Sequence, residues 1–295
     1  KQFGGPARQA AGVCAIELAL WDLAGKAYGV PVYQLLGGRF RDKVRLYADT
    51  HIEEGRATGI LMEPEKVGRI LTGYMDQGFT VVKILSVELL MAQEGNYCGP
   101  LDWVNELRAV EEKVRQVTRT GTRAESSAAN AQLYDFNRIP HPFTNMHVTE
   151  QGLEQLDEYI GRVRSVIGTK VPLAIDHFGH FPLPDMIKIA RRLEKYHLAW
   201  LEDMLPWYLT GQYGELKHAT TAPIATGEDM YLAESFEPLL QAGALDVVHP
   251  DLLTSGGILE TKKLGDLAAR NGDTLALPMC ESPVYALAGA PMATG

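Results

Sequence analysis

From residue 151 onward the chain alternates between two hydrophobic rhythms. Segments with apolar positions every three or four residues, such as GLEQLDEYIGRVRSVIG, PDMIKIARRLEKY, AESFEPLLQAG and GGILETKKLGDLAARNG, predict amphipathic helices, and YGELKHAT a shorter one. Between them lie compact apolar runs, PLAIDH, LAWLEDM, PIATGED, LDVVHPD and TLALPMCES, that read as strands. Upstream, VRLYAD (44–49) and FTVVKIL (79–85) are strand candidates, separated by an amphipathic helix over 65–76. Strand and helix taking turns in this way predicts an α/β fold with a parallel sheet, either doubly wound or closed into a barrel. Seven such runs approach the eight strands of a TIM barrel.

Ahead of the first strand, Ala15, Ile16, Leu18, Leu20, Leu23 and Ala24 recur at helical spacing, and Gly29 with Pro31 ends that helix. The organisation expected is a leading helix and linker over 1–43, then a (β/α) barrel over 44–295 with a long excursion at about 86–150. The excursion holds a helical stretch, LDWVNELRAVEEKV, followed by polar TRTGTRAESSAANAQ and Pro-rich RIPHPFT. An insertion of that length is either a lid over a site or a solvated loop without a role.

Three of the apolar runs end in acid. Asp176 closes VPLAIDHF, Glu202 closes HLAWLEDM and Glu228 follows PIATGEDM, each 26 residues from the next. That interval is what a strand, a crossover helix and two short loops consume. Any one of these residues is explained equally well as a helix N-cap. Three in register at the carboxyl ends of neighbouring barrel strands point into one mouth and make a set of oxygen ligands for a hard cation, Mg²⁺ or alternatively Mn²⁺. Asp203 and Asp229, each beside a proposed ligand, are expected to bond to nearby backbone or basic groups instead.

Other chemistry gathers at the same strand ends. Lys83 interrupts the apolar run VVKIL, where an ammonium is costly unless it meets a carboxylate or a ligand; it is a candidate general base, a stabiliser of developing negative charge, or half of a structural ion pair. His177 and His180 follow Asp176, and once the strand has ended either can turn over the pocket. Asp251 ends DVVHPD with His249 on the same strand face, and the TSGG that follows is placed to hold an anion at a helix start. Glu281 and Ser282 reach the end of the last strand. There is no GxGxxG after an early strand and no GxxxxGK[ST], so nucleotide sites lack a motif.

Composition narrows the partners. Hydrophobic residues make up 46% of 295, and 29 glycines are ordinary for a globular chain. A formal net charge of -9, from 37 acidic against 28 basic residues without a dense basic patch, argues against nucleic acid. Cys14, Cys98 and Cys280 are odd in number and far apart, which disfavours both a disulfide framework and a thiolate zinc site and suits a reducing compartment, the cytoplasm. No run reaches the roughly 18 apolar residues of a membrane span, nor do the first residues read as a signal peptide.

Taken together, AGVCAIELALWDLAGKAYGVPVYQLLGG, GFTVVKIL, PLAIDHFGHF, LAWLEDMLPW, ATGEDMYL and VVHPDLLTSGGILETKKLG resemble the enolase superfamily, in its mandelate racemase and acid-sugar dehydratase branch, over nearly all of the chain. The resemblance implies a TIM-type (β/α)7β barrel, with the family's N-terminal α+β capping domain and closing C-terminal part expected to lie outside this chain. It implies Asp176, Glu202 and Glu228 as magnesium ligands, Lys83 as the lysine of the second strand and Asp251 as the aspartate of the sixth. It also implies a small-molecule carboxylate substrate, a homo-oligomer, and removal of the proton alpha to a carboxylate through an ene-diolate.

For a sugar acid, loss of the beta-hydroxyl would then give a 2-keto-3-deoxy acid, the reaction of a dehydratase. Two departures bear on this. Leu85 stands where the family usually carries a second proton-shuttling group on the second strand, and Ala276–Cys280 contains no histidine to pair with Asp251. They disfavour a two-base racemase or epimerase, the first alternative, and motivate a second, a non-catalytic member; His141 and His147 in the excursion are further candidates to compensate.

Overall fold

In the computed structural model of the chain, the residues described are 10–52, 61–85, 93, 95–98, 101–137, 147–176, 181–278 and 288–289. In chain order they form α1 (Ala11–Tyr28), α2 (Val32–Leu35), β1 (Ala48–His51), α3 (Pro64–Asp76), β2 (Val82–Leu85), β3 (Tyr97–Cys98), α4 (Leu101–Thr120), α5 (Arg123–Asn137) and β4 (His147–Val148). There follow α6 (Glu150–Ile167), β5 (Leu173–Ile175), α7 (Leu183–Leu193) with a 3₁₀ turn at Glu194–Tyr196, β6 (Leu201–Glu202) and α8 (Thr210–Ala219). The remainder is β7 (Ile224–Thr226), α9 (Ala233–Gln241), β8 (Val247–Val248), α10 (Ile258–Asn271) and β9 (Thr274–Leu275). Among the described residues no helix is long and apolar enough to cross a membrane.

The chain divides into two units. The first contains the described residues of Tyr47–Ala199 with Met204–Pro206. Its parallel strands lie in the order β1-β2-β5, with Asp49 opposite Lys83 and Lys83 opposite Ala174. α3 starts with proline at its first position, where a missing N–H costs nothing, and buries Val67 and Leu71 against α6. On the facing side α6 contributes Leu156, Ile160 and Val163, all fully buried. Thr149 caps α6 by accepting the Gly152 N–H.

Three features of this unit differ from expectation. The polar stretch after residue 120 is a second helix, α5, because Thr122 and Glu125 form a reciprocal capping box: the Thr122 N–H donates to the Glu125 carboxylate at 2.8 Å, and the Glu125 N–H to the Thr122 hydroxyl. Polar composition hides this start signal. The excursion also holds a small antiparallel pair, β3 with β4, seated on the first turn of α6. Gly152 allows that seat, since a β-carbon there would stand 2.1 Å from the Asn96 carbonyl oxygen. β1, expected over 44–49, runs instead over Ala48–His51, where the chain first meets its partner: Ala48 N–H donates to Val81 O.

The second unit contains Trp200–Asp203 and the described residues of Gly4–Leu46 and Trp207–Gly295. Here β6, β7, β8 and β9 are parallel neighbours in sequence order, with α8, α9 and α10 as the three connections between them. α1 ends as predicted, with Gly29 in the left-handed region and its N–H turned back to Lys26 O. The face of α1 that packs inward carries Cys14, Leu18 and Trp21, the last two against Leu252 and Ile258. Its opposite face leaves Ile16, Leu20 and Leu23 exposed by 57–64%.

Gly152→Ala should therefore destabilise the protein by about 2–3 kcal/mol, because the added methyl meets backbone that cannot swing aside. Gly73→Ala, in α3 with nothing within 4 Å of its β-carbon, should stabilise it by about 0.5–1 kcal/mol. Urea midpoints measure both; similar midpoints for the two variants would contradict the seat described for the β3–β4 pair.

Candidate metal and acid-base site

The carboxyl ends of β1, β2 and β5 bring three charged side chains of the first unit together. Lys83 is 2% exposed, and its Nζ lies 2.9 Å from Asp176 Oδ2 and 3.5 Å from Asp49 Oδ2. The Tyr47 ring covers the ammonium at 5.5 Å from its centroid. Asp176 follows β5 directly; its N–H donates to Ile84 O, so the last rung of the ladder aims the carboxylate. The carboxylate partner expected of a buried Lys83 is thus present twice.

Asp49 is the residue sequence reasoning missed. It lies beside Lys83 through the β1–β2 register, and its Oδ1 is buried without a hydrogen-bond partner. Burial, with the Asp176 charge adding to it, raises the Asp49 carboxyl to about 6 from 3.8, while Lys83 pulls the other way. The available signal was an aspartate ending VRLYAD, which had been read only as the edge of a strand.

A second set lies at the ends of β6, β7 and β8 in the other unit. Glu202 is fully buried; its Oε2 accepts the Trp200 indole N–H at 2.8 Å, and its Oε1 is 3.4 Å from His249 Nδ1. Glu228 follows Gly227, whose φ of 142° and the Phe236 ring 2.5 Å from a would-be β-carbon both demand glycine. One ligand atom each from Glu202, Glu228 and His249 lies within 4.8 Å of the others. Two carboxylates held so close repel unless a cation or proton stands between them, so the pair Glu202 and Glu228 fits a divalent ion.

Asp203 Oδ1 accepts from Thr226 Oγ1 at 2.6 Å, a hydroxyl rather than the backbone or basic group expected. Asp251 is nearly buried and accepts the Leu253 N–H on Oδ1. His249, with Asp251 a candidate acid-base or polar pocket group, stands next to Glu202. His147 lies with Nδ1 2.9 Å from Asp185 Oδ2 on β4. His177, His180, His141, Glu281 and Ser282 lie outside the described residues.

One expectation is corrected. The helix start after TSGG does not hold a foreign anion, because the Ile258 and Leu259 N–H groups donate to the carboxylate of the chain's own Glu17 at 2.8 and 3.2 Å. A side chain from α1 fills the place that the helix dipole offers.

Parallel strands with carboxylates gathered at the carboxyl ends of several of them, in each unit, define an α/β protein. Residues 141–294, more than half of the chain, match the enolase C-terminal domain-like family, and residues 3–37 match the N-terminal domain of the mandelate racemase / muconate lactonizing enzyme family. The chain belongs to the enolase superfamily, in the mandelate racemase / muconate lactonizing enzyme branch. It is 28% identical over 285 residues to D-xylonate dehydratase of Haloferax volcanii, covering 95% of this chain and 56% of that protein. With D-galactonate dehydratase of Ralstonia nicotianae it shares 27% over 285 residues, 97% of this chain and 58% of the relative.

Among solved structures, a mandelate racemase/muconate lactonizing enzyme-like protein from Rubrobacter xylanophilus superposes with a TM-score of 0.72 at 28% identity, covering 97% of this chain and 63% of that one. The fold is therefore α/β and barrel-like, as expected. The chain spans somewhat more than half the length of these relatives.

Asp49 gives the site a pH signature. The folded protein binds the Asp49 proton more tightly than the unfolded chain does, so this carboxyl favours folding fully below pH 3.8, and that contribution is lost as pH rises through about 6. With three tenths of the side chain exposed, solvent screening reduces the effect to about 1–2 kcal/mol. In metal-free buffer Asp49→Asn should remove this fall in stability between pH 4 and 7, read from denaturant midpoints at each pH; a parallel fall in variant and native protein would contradict it.

Proposed function

We propose that the chain carries the barrel part of a Mg²⁺-dependent dehydratase of sugar acids, aldonates or aldarates, in which Asp176, Glu202 and Glu228 hold the ion. The observation that carries the reading is Lys83, an ammonium buried among carboxylates at the strand ends of a chain whose relatives include proteins named for xylonate, gluconate and galactonate dehydration. When bound, the ion would hold the substrate carboxylate and absorb the charge that develops when the alpha proton leaves. Mn²⁺ suits the same oxygen donors.

The chain's own residues then divide the proton work. Lys83 is the base for the alpha proton or, if it keeps its proton, the electrophile facing the developing charge. Tyr47 and the strand walls exclude water from it, which strengthens either role. A second group must protonate the beta-hydroxyl as it leaves as water; Asp251, His177 and His180 are the proposed donors. The product is an enol that becomes the 2-keto-3-deoxy acid.

The racemase alternative needs a base on each face of the substrate, and the segment after β9, Ala276–Pro278, offers no titratable side chain for one of them. A non-catalytic member would bind the ion without turnover.

The test uses D-xylonate, D-gluconate and D-galactonate with Mg²⁺ in deuterated water, reading 2-keto acid and alpha-deuterium together. Dehydration predicts 2-keto acid; alpha-deuterium without loss of water would instead establish epimerisation, and neither signal on any sugar acid would support the non-catalytic reading. Lys83→Met should keep Mg²⁺ affinity and lower turnover about 10²–10⁴-fold. Alpha-proton exchange that survives in this variant would leave Lys83 a structural or substrate-positioning residue.

A further inference from the structure

The loop from β8 to α10 carries Asp251 and is fastened to the loop after β7. Thr254 Oγ1 donates to the backbone carbonyl of Glu228 at 2.9 Å, and the Leu232 N–H donates to Ser255 O at 3.0 Å. The backbone that presents Glu228 is therefore held from the next loop along. That loop enters α10 through Gly256 and Gly257, at φ 115° and 89°.

None of its own side chains caps α10. The helix start is closed by Glu17, 241 residues earlier, which takes the Ile258 N–H on Oε2 and the Leu259 N–H on Oε1. The indole N–H of Trp21, one turn further along α1, also donates to Oε1. A β-carbon at Gly257 would stand 2.2 Å from Glu17 Oε2, so glycine is what admits the carboxylate. One turn before Glu17, Cys14 is fully buried, while Leu18 and Trp21 pack against Leu252 and Ile258.

We infer that Glu17 is a positioning residue for the metal and acid-base groups: by pinning the start of α10 it fixes loop 251–257, and through Thr254 the backbone of Glu228. The inference rests on the proposed metal role of Glu228. A carboxylate is required because three donors converge on it. Glutamine offers one acceptor oxygen, and its NH₂ would face an N–H. A cap that served the helix alone would affect unfolding and the exchange of Ile258 and Leu259, and would leave the β7 side of the linkage unchanged.

The experiment compares the native chain with Glu17→Gln, Gly257→Ala and Thr254→Val at a temperature where all are folded. Mg²⁺ affinity is measured by calorimetry, and amide hydrogen exchange in the metal-free proteins. Gly257→Ala displaces the Glu17 carboxylate without deleting it, so it serves as the second route if Glu17→Gln does not fold. Each variant should weaken Mg²⁺ binding by about 10–100-fold and speed exchange at Leu232.

Native Mg²⁺ affinity in Glu17→Gln or Gly257→Ala, or faster exchange confined to Ile258 and Leu259, would overturn the inference. If the native chain itself takes up no Mg²⁺, the metal reading falls, and exchange at Leu232 still decides whether Glu17 acts through the loop.

Discussion

An ammonium as buried as that of Lys83 persists only where anions neutralise it, and the ends of β1, β2 and β5 supply two. Much of the surrounding structure serves that requirement. The parallel register sets Asp49 and Lys83 side by side, and the ladder bond from Asp176 to Ile84 fixes the second carboxylate. Removing one partner of such a buried pair typically costs about 3–5 kcal/mol, because it leaves an uncompensated buried charge.

The other carboxylates are supported differently. Glu202 leans on the Trp200 indole two residues earlier and on His249 just after β8, two strands along the sheet. Glu228 lies beyond a strand end and depends on backbone: Gly227 makes the turn and Thr254 ties off the carbonyl. Glu228, held through the next loop along, is the carboxylate on which a distant helix has leverage, and the role proposed for Glu17 on α1 follows from that.

What could be read from the sequence follows from how local each signal was. Apolar runs ending in acid found β5, β6 and β7, and helical periodicity placed α3, α6, α9 and α10 within a residue or two, while the last three residues expected in α7 form a 3₁₀ turn. α5 was lost because its polar face carries no period, although Thr122 and Glu125 announced its start. Asp49 and His249 matter through register across strands, and no single run displays that. Glu17 lay hidden for a stronger reason, since its partners are 241 and 242 residues away and its own helix reads as an ordinary apolar stripe. The outward face of that stripe, Ile16, Leu20 and Leu23, is a reminder that periodicity gives the faces of a helix without saying which one is buried.

The proposed function requires three carboxylates to share one divalent ion. Crystals of the chain grown with Mn²⁺ and measured at the manganese absorption edge would locate that ion by its anomalous scattering. The account predicts a single strong peak bounded by Asp176, Glu202 and Glu228. A peak ligated by Glu202, Glu228 and His249 without Asp176, or no peak at these strand ends, would contradict it.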